Sequence, residues 1–124
     1  MKFKVVDKYR FWWPITVAIP DPDKAGAVIE QTLEIQFEPQ TQSEAADLQA
    51  KYDALKTPAE RAAHEHDQLR LVSKNWRGVE AEGGGDEPFT AETFDRALQH
   101  SWFRLGAYKG YREALYADAA RLGN

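Results

Sequence analysis

The sequence contains no cysteine among its 124 residues. This absence excludes disulfides, thiolate metal sites, iron–sulfur clusters and cysteine nucleophiles. None of its few serines lies in the Gly-x-Ser-x-Gly turn of a serine hydrolase. The longest nearly apolar run, residues 11–20, is far shorter than the about 18–20 residues that a membrane helix needs. Met1 is not followed by the apolar segment of a signal peptide. Together these absences predict a soluble, intracellular protein.

The charge of the chain is unevenly distributed. The composition, 43% hydrophobic and 29% charged, is typical of one globular domain. Residues 1–12 carry four bases and one acid, whereas residues 13–95 carry seven bases and seventeen acids, and residues 96–124 are basic again. No continuous basic stripe is present, so the pattern disfavours nucleic-acid binding. The basic ends are interpreted as lying against the acidic middle, meeting an acidic partner or forming an ordinary solvated surface.

Residues 1–38 predict β structure. Apolar and polar side chains alternate over residues 28–37, which is the period of a half-buried strand. Residues 13–19 are rich in β-branched and aromatic side chains, and the turn-forming residues between the two segments predict a hairpin with a long loop. Pro14 lacks an amide donor and places its strand at an edge or at a strand start. Residues 3–5 predict a short third strand.

Helices are predicted over residues 41–76 and 90–122, two in each region. Their predicted starts are at Thr41, Thr57, Thr90 and Ser101. Thr41 and Glu44 have the spacing of a capping box, and a proline at the first helical position strengthens the start at Thr57. The fold class expected is therefore α+β, with an N-terminal β-hairpin or small antiparallel sheet followed by about four helices.

The patterns also predict where the helices end and which side chains they turn inward. The second helix is predicted to carry Trp76 inward and to end before Gly78, which would act as a C-terminal cap. The inward stripe predicted for the last helix consists of Trp102, Leu105, Tyr108, Tyr111 or Arg112, Leu115, Ala119 and Leu122. Residues 77–89 are interpreted as a flexible, glycine-rich acidic loop. Phe89 precedes the cap at Thr90 and is expected to staple onto Phe94.

The sequence offers little that resembles catalytic or cofactor chemistry. Glu60, His64 and Asp67 share one helix face and are candidate metal ligands. An exposed helix face with i,i+4 partners explains these residues better, because no second histidine joins them. The acids on both sides of the three glycines at 83–85 would repel a phosphate. We therefore expect no catalytic residue, no metal and no cofactor.

Aromatic residues are the unusual feature of the composition. Both faces of a strand that begins at residues 11–13 receive a large ring, so at least one ring should project away from a small core. Such a ring is either covered by a helix of the same chain or belongs to a protein-binding hot spot. The candidate partner-binding residues are Phe11, Trp12, Trp13, Trp102, Phe103, Tyr108 and Tyr111. The residues expected to be architectural are Trp76, Gly78, Phe89 and Phe94.

Six segments, taken in order, suggest a family. They are FWWPITV (11–17), EQTLE (30–34), NWRGV (75–79), EPFTAETF (87–94), WFR (102–104) and YREAL (111–115). Their order and spacing resemble the tail assembly chaperones of long-tailed bacteriophages, and the resemblance covers most of the chain. The sequence departs from the family pattern at the three glycines, where a tighter acidic turn is usual.

The resemblance implies a function without catalysis. A chaperone of this family binds the tape measure protein, shields its long apolar helical stretches and helps to recruit tail tube subunits. It also implies a location in the host bacterial cytoplasm and absence from the mature virion. We expect self-association as a further contact, and the charge pattern and the short apolar runs predict no nucleic-acid and no membrane partner. Two other hypotheses stay open. One is a minor tail or connector protein of the phage particle, and the other is a small metal-dependent enzyme that uses Glu60, His64 and Asp67.

Overall fold

The computed structural model describes residues 1–116. Its elements are β1 (Phe11–Pro20), β2 (Val28–Phe37), α1 (Gln42–Asp53), α2 (Pro58–Val72), β3 (Ser73–Arg77), α3 (Ala91–Leu98) and α4 (Ser101–Leu115). The three strands form one antiparallel sheet in the order β1-β2-β3, so the predicted α+β class is confirmed. Within the described part of the chain, no helix combines the length and hydrophobicity needed to cross a bilayer. The predicted stripe residues Ala119 and Leu122 lie outside the described residues.

The hairpin forms as predicted. The two strands pair without interruption from Phe11 opposite Phe37 to Pro20 opposite Val28. The connection between them turns at Gly26, whose φ of +80° favours glycine. β1 lies at the edge of the sheet, as the missing amide donor of its proline predicts.

The third strand is not where the sequence predicted it. Residues 3–5 form no strand, and β3 is built from residues that were predicted to extend the second helix. Serine and asparagine in this segment are weak helix formers, so the helix ends at Val72 and the chain pairs with β2 instead. Residues four apart, such as Val72 and Trp76, share one face of a helix and also one face of a strand, so the periodicity alone does not separate the two conformations.

One face of the sheet and parts of three helices enclose the core. Its fully buried large side chains are Phe37, Phe94, Ile15, Ile35, Leu69, Leu98 and Val72. α1 buries no residue and contacts the rest of the fold mainly through α2. The capping box predicted at Thr41 is present, and the predicted N-cap Thr90 also forms one, completed by Thr93. α1 is therefore peripheral, whereas α3 is part of the core.

The last helix packs only partly through the predicted stripe: Tyr111 is buried as predicted, but Leu105 is not. Its buried residues are Phe103, Ala107, Gly110 and Tyr111, and Leu105 is 70% exposed. The reason is the close approach of α4 to β1: a Cβ at Gly106 would lie 2.5 Å from the carbonyl oxygen of Thr16. Its N-cap is His100 rather than Ser101, and no side chain bonds there. α4 thus lies against β1, the edge strand of the sheet.

Candidate binding cleft

An open cleft of about 910 Å³ lies between the hairpin, the segment that follows β3 and the start of α4. Its apolar lining consists of Val17, Ile19, Leu33, Trp76, Val79, Ala81, Ala97, Trp102 and Phe103. β3 pairs with only the last part of β2, from Glu34 to Phe37. The hairpin therefore projects beyond the three-stranded part of the sheet, and the core-facing side of its projecting part forms one wall of the cleft.

The opposite wall of the cleft is a tight turn in the segment that follows β3. Glu80 and Asp86 form an antiparallel bridge, and the amide of Glu87 donates to the carbonyl oxygen of Val79 at 2.8 Å. Gly84 and Gly85 have φ of +93° and +79°, which allows the chain to reverse tightly. The segment predicted as a flexible loop thus forms a closed turn that holds its acidic residues beside the cleft.

The floor of the cleft is fixed around Trp76. Its indole Nε1 donates to the carbonyl oxygen of Glu87 at 2.8 Å, and its ring meets Phe89 edge-on at 5.4 Å between centroids. Phe89 lies 5.3 Å from Phe94, in the positions of a hydrophobic staple across the start of α3. Gly78 has φ of +79° but follows β3, so its predicted role as a helix cap is wrong.

The charge around the cleft has one sign. Glu80 and Glu82 line it, and none of its described lining residues is lysine or arginine. His100 stacks on Trp102 with a centroid distance of 4.9 Å and an interplanar angle of 14°. The cleft therefore combines apolar side chains, the neutral polar side chains of Gln31 and Thr32, and an acidic rim. This lining suits an occupant with apolar side chains and flanking cations.

The predicted partner-binding residues do not form one surface. Trp102 and Phe103 line the cleft, whereas Phe11 and Trp13 pack against the core near the far end of the hairpin. Tyr108 lies in a separate depression beside α1 and α2. Of the seven predicted partner-binding residues, only Trp102 is thus both half-buried and positioned at the cleft.

Trp12 projects from the opposite face of the sheet. The guanidinium of Arg77 lies 4.1 Å from the centroid of its indole, at the distance of a cation–π contact. The same guanidinium donates to Glu34 at 2.7 Å, and this hydrogen bond lowers the pKa of the Glu34 carboxyl group. The ring that the sequence placed away from the core is therefore half-covered by its own chain.

Two of the predicted anchors belong to the core. Tyr111 is 3% exposed and packs on Phe37 at 5.1 Å, and Phe103 is 8% exposed. Their expected role as free partner-binding side chains is corrected, because α4 turns this face toward the sheet. Phe103 lines the cleft but is almost fully buried.

The candidate metal ligands are engaged elsewhere. Glu60 accepts a hydrogen bond from the Thr57 hydroxyl at 3.0 Å, and Asp67 pairs with Arg70 at 2.7 Å. His64 packs on the ring of Tyr52 at 5.4 Å. Among residues 1–116, no group of three histidine, aspartate or glutamate side chains gathers in metal-binding geometry.

Sequence reasoning missed most of the cleft. The lining residues it did not single out include Val17, Ile19, Leu33, Val79, Glu80 and Glu82. The sequence did contain one signal of an uncovered apolar surface. The apolar positions of the hairpin continue to Ile19 and Ile29, farther along the hairpin than a short third strand can cover. The meeting of the hairpin with the acidic turn depends on tertiary packing, which no local pattern records.

Comparison of the chain with protein-family models, with curated proteins and with solved structures finds no match. The resemblance to tail assembly chaperones therefore stays a hypothesis from the sequence, to be weighed with the geometry of the cleft.

Proposed function

We propose that this chain is a non-enzymatic tail assembly chaperone of a long-tailed bacteriophage that binds an apolar segment of the tape measure protein. The observation that carries the proposal is the cleft, which is open, lined by apolar side chains together with the polar Gln31 and Thr32, and rimmed by Glu80 and Glu82. The order of the family-like segments in the sequence supports the choice of partner.

The proposed mechanism is burial of an apolar surface until the tail tube replaces the chaperone. An apolar helix or strand of the tape measure protein enters the cleft and covers Val79 and Trp102, which are half-buried in the free chain. The acidic rim selects segments with flanking lysine or arginine. Polymerising tube subunits then take over the shielded segment in the host cytoplasm, and the chaperone is left out of the virion.

Co-expression of the chain with an affinity-tagged tape measure protein from the same genome tests the proposal. We expect the chain to be captured, and Trp102→Ala to reduce capture at least about tenfold, as the loss of a hot-spot ring does. Trp12→Ala is the matched control, since it removes a half-buried indole from the opposite face. Thermal unfolding of both variants separates a binding defect from a folding defect. Failure of the intact chain to be captured contradicts the proposal.

Purified virions distinguish this function from that of a minor tail or connector protein. A chaperone that is displaced by tube subunits is expected to be absent from them by mass spectrometry. Stoichiometric presence of the chain in intact particles would instead identify a structural component.

A further inference from the structure

The first eight residues form an exposed arm. Residues 1–10 contain neither helix nor strand, and Phe3 and Val5 are 91% and 83% exposed. The arm ends where the chain becomes anchored: the ring of Tyr9 lies 6.1 Å from that of Phe11, and Arg10 pairs with Glu38 at 2.9 Å. Among residues 1–116, the large apolar side chains of the arm are therefore exposed to water.

The sequence of the arm complements the cleft. Phe3 and Val5 alternate with Lys2 and Lys4, so an extended arm presents apolar side chains on one face and cations on the other. The cleft presents apolar walls and the two rim carboxylates. An arm laid in it would bury the apolar side chains and leave the lysines near the rim.

We propose that the arm of one copy of this chain occupies the cleft of a second copy. Phe3 and Val5 of the first copy pack against the cleft wall of the second, and Lys2 and Lys4 pair with Glu80 and Glu82 at its rim. The contact repeats from copy to copy, because every chain carries both an arm and a cleft. It closes into a dimer if two arms are exchanged and extends into larger assemblies if they are not.

The geometry of the monomer favours binding of the arm in the cleft of another copy over binding in the cleft of its own chain. Ile19 marks the cleft end of β1, and Phe11 marks the other end, where the arm begins. Phe3 and Ile19 are each eight residues from Phe11, and eight extended residues span at most about 27 Å. The arm would therefore have to return fully extended along β1, and α4 already packs against that strand.

Sedimentation velocity of the full chain over a micromolar concentration series tests the exchange. We expect the weight-average mass to rise above the 14.1 kDa of one chain as concentration increases. Phe3→Ser combined with Val5→Ser should return the mass to that of the monomer, and so should Glu80→Lys combined with Glu82→Lys. Two matched controls change exposed positions away from the cleft. Leu71→Ser is the control for the arm variant, and the double variant Asp23→Lys, Asp47→Lys is the control for the cleft variant. Both are expected to associate like the unaltered chain.

A charge-reversal pair identifies the contact. Lys2→Glu combined with Lys4→Glu should be monomeric alone, and mixing it with the Glu80→Lys, Glu82→Lys protein should restore association. A second measurement uses the absence of cysteine: copies with Phe3→Cys and copies with Ala81→Cys should form a mixed disulfide under mild oxidation. A chain that is monomeric at every concentration, or whose assembly survives both arm and cleft variants, overturns the proposal. No tape measure protein is present, so these results are independent of the proposed function.

Discussion

At the scale of single residues, Trp76 connects several elements of the fold. Its indole meets Phe89, Phe94 and Phe103 at centroid distances of 5.4, 6.0 and 6.3 Å and hydrogen-bonds the backbone at Glu87. It thereby joins β3, the acidic turn, α3 and α4. Its removal should loosen all four at once.

We expect Trp76→Ala to lower the free energy of unfolding by about 3–5 kcal/mol, because it leaves a large cavity in a buried aromatic cluster. Trp76→Phe keeps part of the packing but loses the hydrogen bond, so its loss should be smaller. Urea denaturation followed by circular dichroism measures both. Trp12 lies on the opposite face of the sheet from the core. An equal loss of unfolding free energy in Trp12→Ala would contradict the view that Trp76, and not Trp12, holds the fold together.

His66 is expected to make stability depend on pH. Burial, followed by the nearby guanidinium groups of Arg104 and Arg70, lowers its pKa, and the opposing charges of Asp67 and Glu65 only partly offset this. Its Nε2 is buried without a hydrogen-bond partner in the described part of the chain.

Because the pKa of His66 is lower in the folded state, the unfolded chain binds more protons as the pH falls below about 6.5. The free energy of unfolding should therefore decrease as the pH falls from about 6.5 toward the lowered pKa, and it should stay level above pH 6.5. Denaturation at a series of pH values between 5 and 7.5, roughly the range in which histidine titrates, measures the slope. His66→Gln should flatten it, whereas His64→Gln on the same helix should retain it. A slope that is unchanged in His66→Gln would exclude this residue as its source.

At the scale of elements, similar caps begin helices of unequal importance. Thr41 and Thr90 both accept a hydrogen bond from the third helical amide, at 3.3 and 3.0 Å. α1 buries no side chain, whereas α3 buries Phe94 and Leu98. The same chemical change should thus have local consequences in one helix and global consequences in the other.

Thr90→Ala is expected to lower the free energy of unfolding of the whole chain by about 1 kcal/mol, the usual effect of losing an N-cap. Thr41→Ala should speed amide hydrogen exchange within α1 while leaving the global transition almost unchanged, because α1 can open alone. Hydrogen exchange read by mass spectrometry, together with urea denaturation, separates the two effects. Equal global losses would show that α1 unfolds with the core.

The contact between α4 and β1 depends on a missing side chain. A methyl group at Gly106 would meet the carbonyl oxygen of Thr16 at 2.5 Å, and backbone atoms cannot move aside as a side chain can. Gly106→Ala should therefore lower the free energy of unfolding by about 1–3 kcal/mol although alanine favours helix. Gly83→Ala is the control, since a Cβ there meets open space. Thermal denaturation that ranks Gly106→Ala as the more stable variant would contradict the close approach.

At the scale of the whole molecule, the sequence predicted the parts that depend on local chemistry. The hairpin follows from alternation and turn residues, and three of the four helix starts follow from threonine caps. β3 could not be predicted, because the spacing of Val72 and Trp76 suits a helix as well as a strand. The face of α4 could not be predicted either, since Gly106 and Gly110 draw a small-residue face toward β1 in place of the larger Leu105.

The candidate site was predicted only in part, for a related reason. Trp102 was singled out as a surplus ring, and it does line the cleft. Val17, Leu33 and Val79 look like ordinary core positions in the sequence, and only the projection of the hairpin beyond β3 leaves them beside a cleft. Composition can thus indicate that an apolar surface is in excess, but tertiary packing decides where that surface lies.

The position of α4 against β1 also has a consequence for synthesis on the ribosome. β1 is translated about ninety-five residues before α4 is complete. During that interval the nascent hairpin has one row of backbone groups uncovered. Neighbouring nascent chains on a polysome could pair through that row before the helix arrives. Slow translation ahead of residue 101 would prolong this exposure, and truncated products that lack α4 should be more prone to form fibrils.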